Sequence, residues 1–482
     1  MRVLFTHSYF LRYDPKQWRT MQPYAPLGTI YAAAVLRQNG YEVFLHDVMF
    51  AEGPETLAPV LQSVKPDVLV IYDDGFNYLT KMCLTNMREA AFKMSMMAKE
   101  AGCKVVVSSS DSTDHAGEYL ENKADYIIIG EAEQTLLELL AKLGNKESDV
   151  EGVKGLAYQQ DGNIHRTGAR PVMNNLDSLP LPAWDLVNVA DYRNAWMQST
   201  GYFSMNVGTT RGCPFKCNWC AKPIYGNRYN ARTPEHVVSE LKMLKERYHF
   251  DHIWFCDDIF GLKPGWVKRF AELVNEEGLK FRFKIQSRAD LLLKDEQIQY
   301  LADAGCEVVW MGAESGSQRI LDAMDKGTTV EQIAEATRLL KLHGIKPAFF
   351  LQFGYLGETK EDIQMTLDMV KRLLPADLGI SVSYPLPGTG FYEKVKEQLK
   401  TKTNWTDSDE LALMFSNTYK PEFYKQLHRY VHAFYKKASA ADRLRKIFSK
   451  DSLDRKHLFT AIKFPYYSLK ELQQKRLLQK LY

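Results

Sequence analysis

Several features are scarce or missing in this chain, and each absence removes a class of protein. No apolar run approaches the roughly 18 residues of a membrane-spanning helix. The opening stretch "MRVLFTHSYF" has neither the long apolar segment nor the small-residue cleavage site of a signal peptide, and it reads as a strand. Low-complexity tracts are missing, and no repeat is present beyond a strand–helix rhythm, which argues against linker-like and solenoid proteins. Cysteine is sparse, at seven residues, an odd number with three of them clustered. Disulfides explain that distribution badly and reduced thiols explain it well, so a cytoplasmic protein is expected. No GxGxxG follows the first strand, which speaks against a dinucleotide. Acidic residues are scarce only at the C-terminal end. From Pro421 onward fifteen Lys/Arg face five Asp/Glu, a net +10, while the remainder is net −7.

What is present describes an ordinary globular protein, 45% hydrophobic and 25% charged, whose 482 residues allow two or three domains. Residues 1–145 alternate the runs "RVLFTHS", "EVFLHDV", "DVLVIYD", "KVVVSSS" and "DYIIIGE" with helical stretches ending at Gly40 and Gly102. Continuous Val/Ile/Leu runs between helices predict a parallel sheet covered on both faces. Five such strands suit a doubly wound, Rossmann-like α/β domain with its ligand beyond the strand C-termini. Residues 146–199 hold a hairpin turning at Asp161-Gly162 and a proline-bearing connector, "LDSLPLPAWDL". From 200 to 395 the rhythm resumes and repeats six times, predicting a partial (β/α)6 barrel. Thr233-Pro234 and Thr329…Gln332 mark two of its helix starts. Residues 396–482 form a basic, aromatic, helical extension.

The chemistry gathers in "RGCPFKCNWCAKP", residues 211–223, directly after the first barrel strand. Cys213, Cys217 and Cys220 have the spacing C-x3-C-x2-C. A closed zinc site takes four ligands, usually as two pairs, and no fourth lies nearby. A distant His or Cys would complete one, so zinc stays open as an alternative. Iron–sulfur cubes are held by cysteine thiolates on short loops. Three thiolates on a four-iron cube leave one iron open for substrate chemistry.

This spacing, with Trp219 before the last cysteine, resembles the signature of the radical SAM superfamily. The resemblance implies a 4Fe–4S cluster on the three cysteines, with S-adenosylmethionine on the open iron. Reductive cleavage then gives methionine and a 5′-deoxyadenosyl radical. It also implies roles at successive strand ends. Asp257 and Asp258 would help neutralise the methionine ammonium, and Arg288 would pair with its carboxylate. Glu314 or Ser315 would accept hydrogen bonds from the ribose, and the backbone around Gly354 and Leu356 would lie along the adenine. Taken one at a time, such carboxylates are more often helix caps or solvated groups. Cys256 and Cys306, in or beside apolar strands, read as buried structural thiols.

A doubly wound domain before such a barrel resembles the cobalamin-binding subgroup of that superfamily, which includes anaerobic magnesium-protoporphyrin IX monomethyl ester cyclase and C-methyltransferases. "PLGTIYAAAVLRQNGYEVFLHD" and "ADYIIIGEAEQTLLELL" carry this likeness. It implies a corrin near Tyr72, Asp73, Asp74 and Gly75, near Ser108, Ser109 and Ser110, and near Gly130 and Glu131. The chain departs from cobalamin proteins that use a histidine ligand, since it has no D-x-H-x-x-G. The fourth-strand loop, glycine-rich with a histidine in the subgroup, reads "SSSDSTDH" here. A degenerate domain without ligand is the alternative.

The expected activity is methylation of an unactivated carbon through methylcobalamin. Radical cyclisation or rearrangement without methyl transfer is the runner-up, and a non-catalytic cobalamin or redox sensor is a third reading. A methylthiotransferase is disfavoured by the lack of a second cysteine set. The implied partners are a small-molecule or lipid-like substrate and an electron donor such as a reductase, flavodoxin or ferredoxin, with no nucleic acid. The basic tail reads as a helix face packed on the barrel, with a peripheral membrane contact as its alternative.

Overall fold

The computed structural model describes residues 1–73, 75–76, 84–399, 404–448 and 462–481. Its two large sheets follow from two runs of strand–helix alternation. The first contains β1 (Arg2–Thr6), β2 (Glu42–His46), β3 (Val68–Tyr72), β4 (Lys104–Ser108) and β5 (Tyr126–Ile128), with α1 (Leu27–Gln38), α2 (Thr85–Glu100) and α3 (Glu133–Gly144) among its helices. These five strands are parallel in the order 2-1-3-4-5. That order reverses between β1 and β3, the crevice where doubly wound sheets take ligands. Side-chain alternation divides the strands between two cores: Val3 and Phe5 pack with Ile30 and Leu136, whereas Leu4, Leu69 and Val105 pack with Met94 and Ala98. The first of these cores runs on without a break into the second sheet.

The hairpin expected to open the connector belongs to the first sheet instead. β6 (Leu156–Gln160) pairs antiparallel with β5, and β7 (Asn163–Arg166) pairs with β6. Addition there covers the backbone groups that β5 would otherwise leave unpaired at a sheet edge. The connector then makes two short 3-10 turns and α4 (Val189–Thr200), an amphipathic helix that was not expected.

The second sheet consists of β8 (Ser204–Val207), β11 (His252–Phe255), β12 (Arg282–Ser287), β13 (Cys306–Glu314), β14 (Lys346–Phe353) and β15 (Asp377–Val382), all parallel and in sequence order. A two-stranded ribbon, β9 (Thr210–Arg211) with β10 (Asn230–Ala231), rises after β8. Helices α5 (Pro234–Tyr248), α6 (Trp266–Glu276), α7 (Gln318–Ala323), α8 (Val330–Leu342) and α9 (Lys360–Leu373) cover the outside. Local chemistry starts two of them as anticipated. Thr233 accepts from the His236 amide with Pro234 in the first turn, and Thr329 and Gln332 close a capping box. The outward residues Phe255 and Phe283 pack with Phe270 of α6, which puts Trp254, Lys284 and Gln286 on the inner face.

Beyond the barrel, α10 (Pro421–Phe448) lies against α9 and β15 and pairs with α11 (Phe464–Gln479). Tyr435 of α10 donates to the Pro375 carbonyl at 2.7 Å. The tail therefore packs on the barrel through its aromatics.

Candidate active site at the cysteine loop

The three cysteines sit on residues 212–229, the loop closed off by the β9–β10 ribbon. Its base is clamped by Asp257, at the end of β11, whose carboxylate accepts from the Thr209 and Thr210 amides at 2.7 and 2.9 Å and from the Thr209 hydroxyl. Gly212, at φ +78°, turns the chain where a Cβ would strike the Arg228 carbonyl oxygen. Lys222 ties the loop to itself, donating to the Phe215 carbonyl and, at 2.7 Å, to Asn227.

Asn218 fastens the loop to the barrel. Its amide donates to the Met324 carbonyl (3.1 Å), its side chain to Ala323 and Asp325 (both 2.8 Å), and its Oδ1 accepts from Tyr355 (2.9 Å). The Asn218 carbonyl accepts from the Phe391 amide at 2.8 Å. Held this way, Cys213, Cys217 and Cys220 are free and half-buried. Burial raises the Cys213 thiol, and burial followed by the Asp258 charge pushes Cys220 up to about 12. Thiols so disposed bind a metal by giving up protons.

Two cations stand beside the thiols. Arg288 lies 3.7 Å over the Phe215 ring, reaches Asp290 at 2.9 Å and approaches the Cys217 sulfur at 3.9 Å. Lys326 forms a buried ion pair with Glu314 at 2.7 Å, its ammonium 5.8 Å from the Trp219 ring centre. Burial alone would lower the Lys326 ammonium; Glu314, with Cys217 behind it, raises it. Nearby, Trp219 Nε1, Ser287 Oγ and Thr328 Oγ1 are buried without a hydrogen-bond partner. Buried polar groups are ordinarily paired, so these atoms mark places for ligand atoms. Among the described residues the thiols are not drawn into a metal-binding group, but they lie close enough to act on one another's charge. Three free thiols with two cations and three orphaned polar atoms are a donor set whose chemistry suits a cluster and a charged nucleoside ligand.

The expected residues divide in their placement. Cys213, Cys217, Cys220, Trp219, Asp258 and Arg288 come together; Asp258 is exposed, with its charge felt by two of the thiols. Asp257 is spent on the loop base, and its burial lifts it to about 6. Glu314 is held by Lys326. The Ser315 hydroxyl is bonded to Thr366 of α9 at 3.2 Å and accepts from the Ser317 amide at 3.1 Å, where the chain leaves β13 through Glu314 at φ +55°. The Gly354 amide donates to Glu358 at 2.7 Å and its carbonyl accepts from Asn417, while Leu356 stays half-buried. Asn218, Lys326 and Glu358 were not anticipated. The partners of Asn218 lie more than 100 residues away, and although Glu358 and Lys326 find partners nearer, at Gly354 and Glu314, nothing in their spacing announces the burial that gives them meaning.

The C-terminal edge of the first sheet meets this loop. Arg211, just before the first cysteine, is buried between Glu131 (3.1 Å) and Glu133 (2.6 Å) and lies 5.2 Å from the Tyr225 ring centre. Glu131, expected near a corrin, is thus committed to the joint, accepting also from the Met173 amide. Gly75 abuts Tyr225 and Gly130 abuts Ile224. Asp73 accepts from Ser8, and burial raises its pKa. Tyr72 takes the Thr29 hydroxyl on its carbonyl, Ser108 receives the Asp73 amide, and Ser109 caps the short helix that begins at Ser110. Asp74 lies outside the described residues. Residues 404–415 cross this edge. Trp405, 1% exposed, accepts from the Thr85 amide and stacks edge-on with Tyr384 at 4.6 Å, and Asn404 reaches Asp111.

A parallel, open barrel with a three-thiol loop at its strand-end mouth defines a class, and residues 207–370 match the Radical SAM superfamily; the chain carries a radical SAM domain. Among its relatives is the uncharacterized methyltransferase PH0819 of Pyrococcus horikoshii, 27% identical over 79% of this chain and 80% of the relative. Another is the anaerobic magnesium-protoporphyrin IX monomethyl ester cyclase of Cereibacter sphaeroides, 25% identical over 83% of this chain and 64% of the relative. The fold is that of the radical S-adenosylmethionine methyltransferase TsrM of Kitasatospora setae, solved with cobalamin and a 4Fe–4S cluster (TM-score 0.68, 20% identity, 82% of this chain and 78% of that one).

Proposed function

We propose that this protein is a cobalamin-dependent radical SAM enzyme that methylates an unactivated carbon of a small molecule, drawing two electrons per turnover from a reductase, flavodoxin or ferredoxin, one to cleave S-adenosylmethionine and one to return cobalamin to its methyl-accepting state. The observation that carries this reading is the loop of three free thiols held at the open mouth of the barrel. When bound, the cluster and S-adenosylmethionine supply a carbon-centred radical that abstracts substrate hydrogen, and the corrin supplies the methyl group. The chain's own residues hold these parts in place. Cys213, Cys217 and Cys220 would ligate the cluster, with Asn218 fixing their loop. Arg288 and Lys326 would balance the charge of thiolates and a carboxylate, and Ser287 and Thr328 would satisfy ligand hydroxyls. Arg211, clamped by Glu131 and Glu133, would fix the barrel mouth against the first sheet.

The corrin is proposed at the edge formed by Tyr72, Asp73, the 108–110 serines and Gly130. Hydroxyls and bare backbone there suit a ligand rimmed with amides, and likeness to a fold solved with cobalamin supports the placement. Anaerobic reconstitution with S-adenosylmethionine and cobalamin tests the reading. Equal yields of S-adenosylhomocysteine and 5′-deoxyadenosine are expected. Deoxyadenosine alone would favour the cyclisation to which the cyclase relative points, and neither product would overturn the radical reading.

The tail supports one finer reading, a peripheral contact with an anionic membrane. Half of the large exposed apolar residues among those described fall within 462–481. Tyr466, Leu469 and Leu477 share one face of α11 with Lys470, and Lys463 and Lys480 flank its two ends. Binding to phosphatidylserine vesicles that is lost on deletion of 462–482 would support the contact; no vesicle binding would remove it.

A further inference from the structure

The inner face of the barrel is less buried than its outer face, although Ala348 and Gln352 are covered. In β12–β15 the outward residues Phe283, Ile285, Val309, Met311, Phe349, Leu351, Leu378 and Ile380 are buried, whereas the inward Lys284, Gln286, Trp310, Phe350 and Gly379 are only half-buried and Ser381 is exposed. Six strands cannot close a barrel, so the centre stays accessible.

Along this inner face stands a cation that makes no ion pair among the described residues. Lys284 lies midway along β12, its ammonium 5.2, 5.4 and 5.9 Å from the ring centres of Tyr24, Trp254 and Trp196. Among the described residues it makes no hydrogen bond or ion pair. The neighbouring charged groups are otherwise engaged. Arg282 reaches Glu307 at 3.4 Å, and His252 is bonded to Ser204 at 2.8 Å. Asp377, at the start of β15, acts on Lys284 only from beyond contact distance, and burial outweighs it, bringing the ammonium down to about 8. The aromatic floor is itself anchored, with Tyr24 bonded to Ser204 at 3.0 Å and Trp196 to the Pro23 carbonyl at 2.7 Å. One step further along the strands, Trp310 and Phe350 stack at 4.7 Å and form a flat wall between this floor and the thiol mouth.

We propose that the lumen takes an anionic substrate with a flat apolar body, its carboxylate or phosphate ending on Lys284 and its body lying along Trp310 and Phe350. The length of that body then decides which carbon is presented at the mouth. This deepens the radical reading, but its test needs no turnover.

The probes are 1-naphthaleneacetate and its neutral counterpart 1-naphthaleneethanol, measured by equilibrium dialysis against the full chain. The acid should bind about tenfold more tightly than the alcohol, as a charge-assisted contact implies. Lys284→Met should abolish that preference while leaving the alcohol's affinity unchanged, and Lys284→Arg should keep it. The alcohol reports whether each variant's lumen is intact, and Lys284→Gln replaces Lys284→Met if the latter fails to fold. 1-Naphthyl phosphate, compared with the acetate, separates a phosphate end from a carboxylate end. Equal binding of acid and alcohol by the unaltered protein, or a preference that survives in Lys284→Met, overturns the proposal. Deoxyadenosine formation is a separate measurement, so the failure of one reading is distinguishable from the failure of the other.

Discussion

The first sheet and the barrel are built from the same unit, a parallel strand followed by a helix, and their C-terminal edges meet, yet they finish differently. At the first sheet the strand ends turn their polar groups on one another: Asp73 on Ser8, Ser109 on Ser112, Asp111 on Arg88. Trp405 and its neighbours then cross that edge. At the barrel the strand ends leave three thiols half-exposed and three polar atoms without partners. An open sheet can be capped by short helices and a crossing segment. A six-stranded incomplete barrel leaves several of its inward side chains only half-buried. The edge that carries the thiols is the one whose polar groups stay unsatisfied.

Four changes would break or sharpen this contrast. The largest effect belongs to the thiols: Cys213→Ala, Cys217→Ala or Cys220→Ala should each abolish deoxyadenosine formation and lower iron and sulfide per chain. Persistent turnover would remove the cluster assignment. Next is the joint between the two edges. Arg211→Met leaves Glu131 and Glu133 buried without their cation, and should cost about 3–5 kcal/mol in urea unfolding, largely recovered by adding Glu131→Gln and Glu133→Gln.

A smaller, pH-dependent effect belongs to Glu358, whose carboxyl is pushed up to about 8, by burial first. Below its ordinary 4.5 both folded and unfolded chains carry the proton, so stability does not depend on it. Between 4.5 and 8 only the folded chain keeps the proton, and stability falls as pH rises. Glu358→Gln should therefore raise Tm at pH 8 and lose that advantage near pH 4.5; a gain of equal size at both would contradict the buried carboxyl. Smallest is Thr329→Ala, whose side chain is spent on its capping box with Gln332; it should cost about 1 kcal/mol and leave deoxyadenosine yield unchanged.

Local signals were read correctly where the physics is local. Thr233 and Thr329 start helices because a side-chain oxygen meets an amide three residues on, and the cysteine spacing is itself a short-range geometry. The hairpin at Asp161-Gly162 was legible, but its membership of the first sheet was not, because strand addition depends on which edge lies exposed. Lys326 escaped notice because its meaning lies in Glu314 and Trp219, brought beside it by a turn and a loop from elsewhere. The ion pair of Glu131 with Arg211, 80 residues away, leaves no local signal in the sequence.

The sequence by itself determined the alternation of strands and helices, their parallel sheets and the three thiols on one short loop, since each depends on residues close together in the chain. Only the tertiary structure decided which strand-end groups are spent internally, where Asn218 anchors the loop, and that Lys284 faces three aromatic rings with no ion pair among the described residues. Burial and pairing between distant segments are properties of the packed molecule, and no local pattern encodes them.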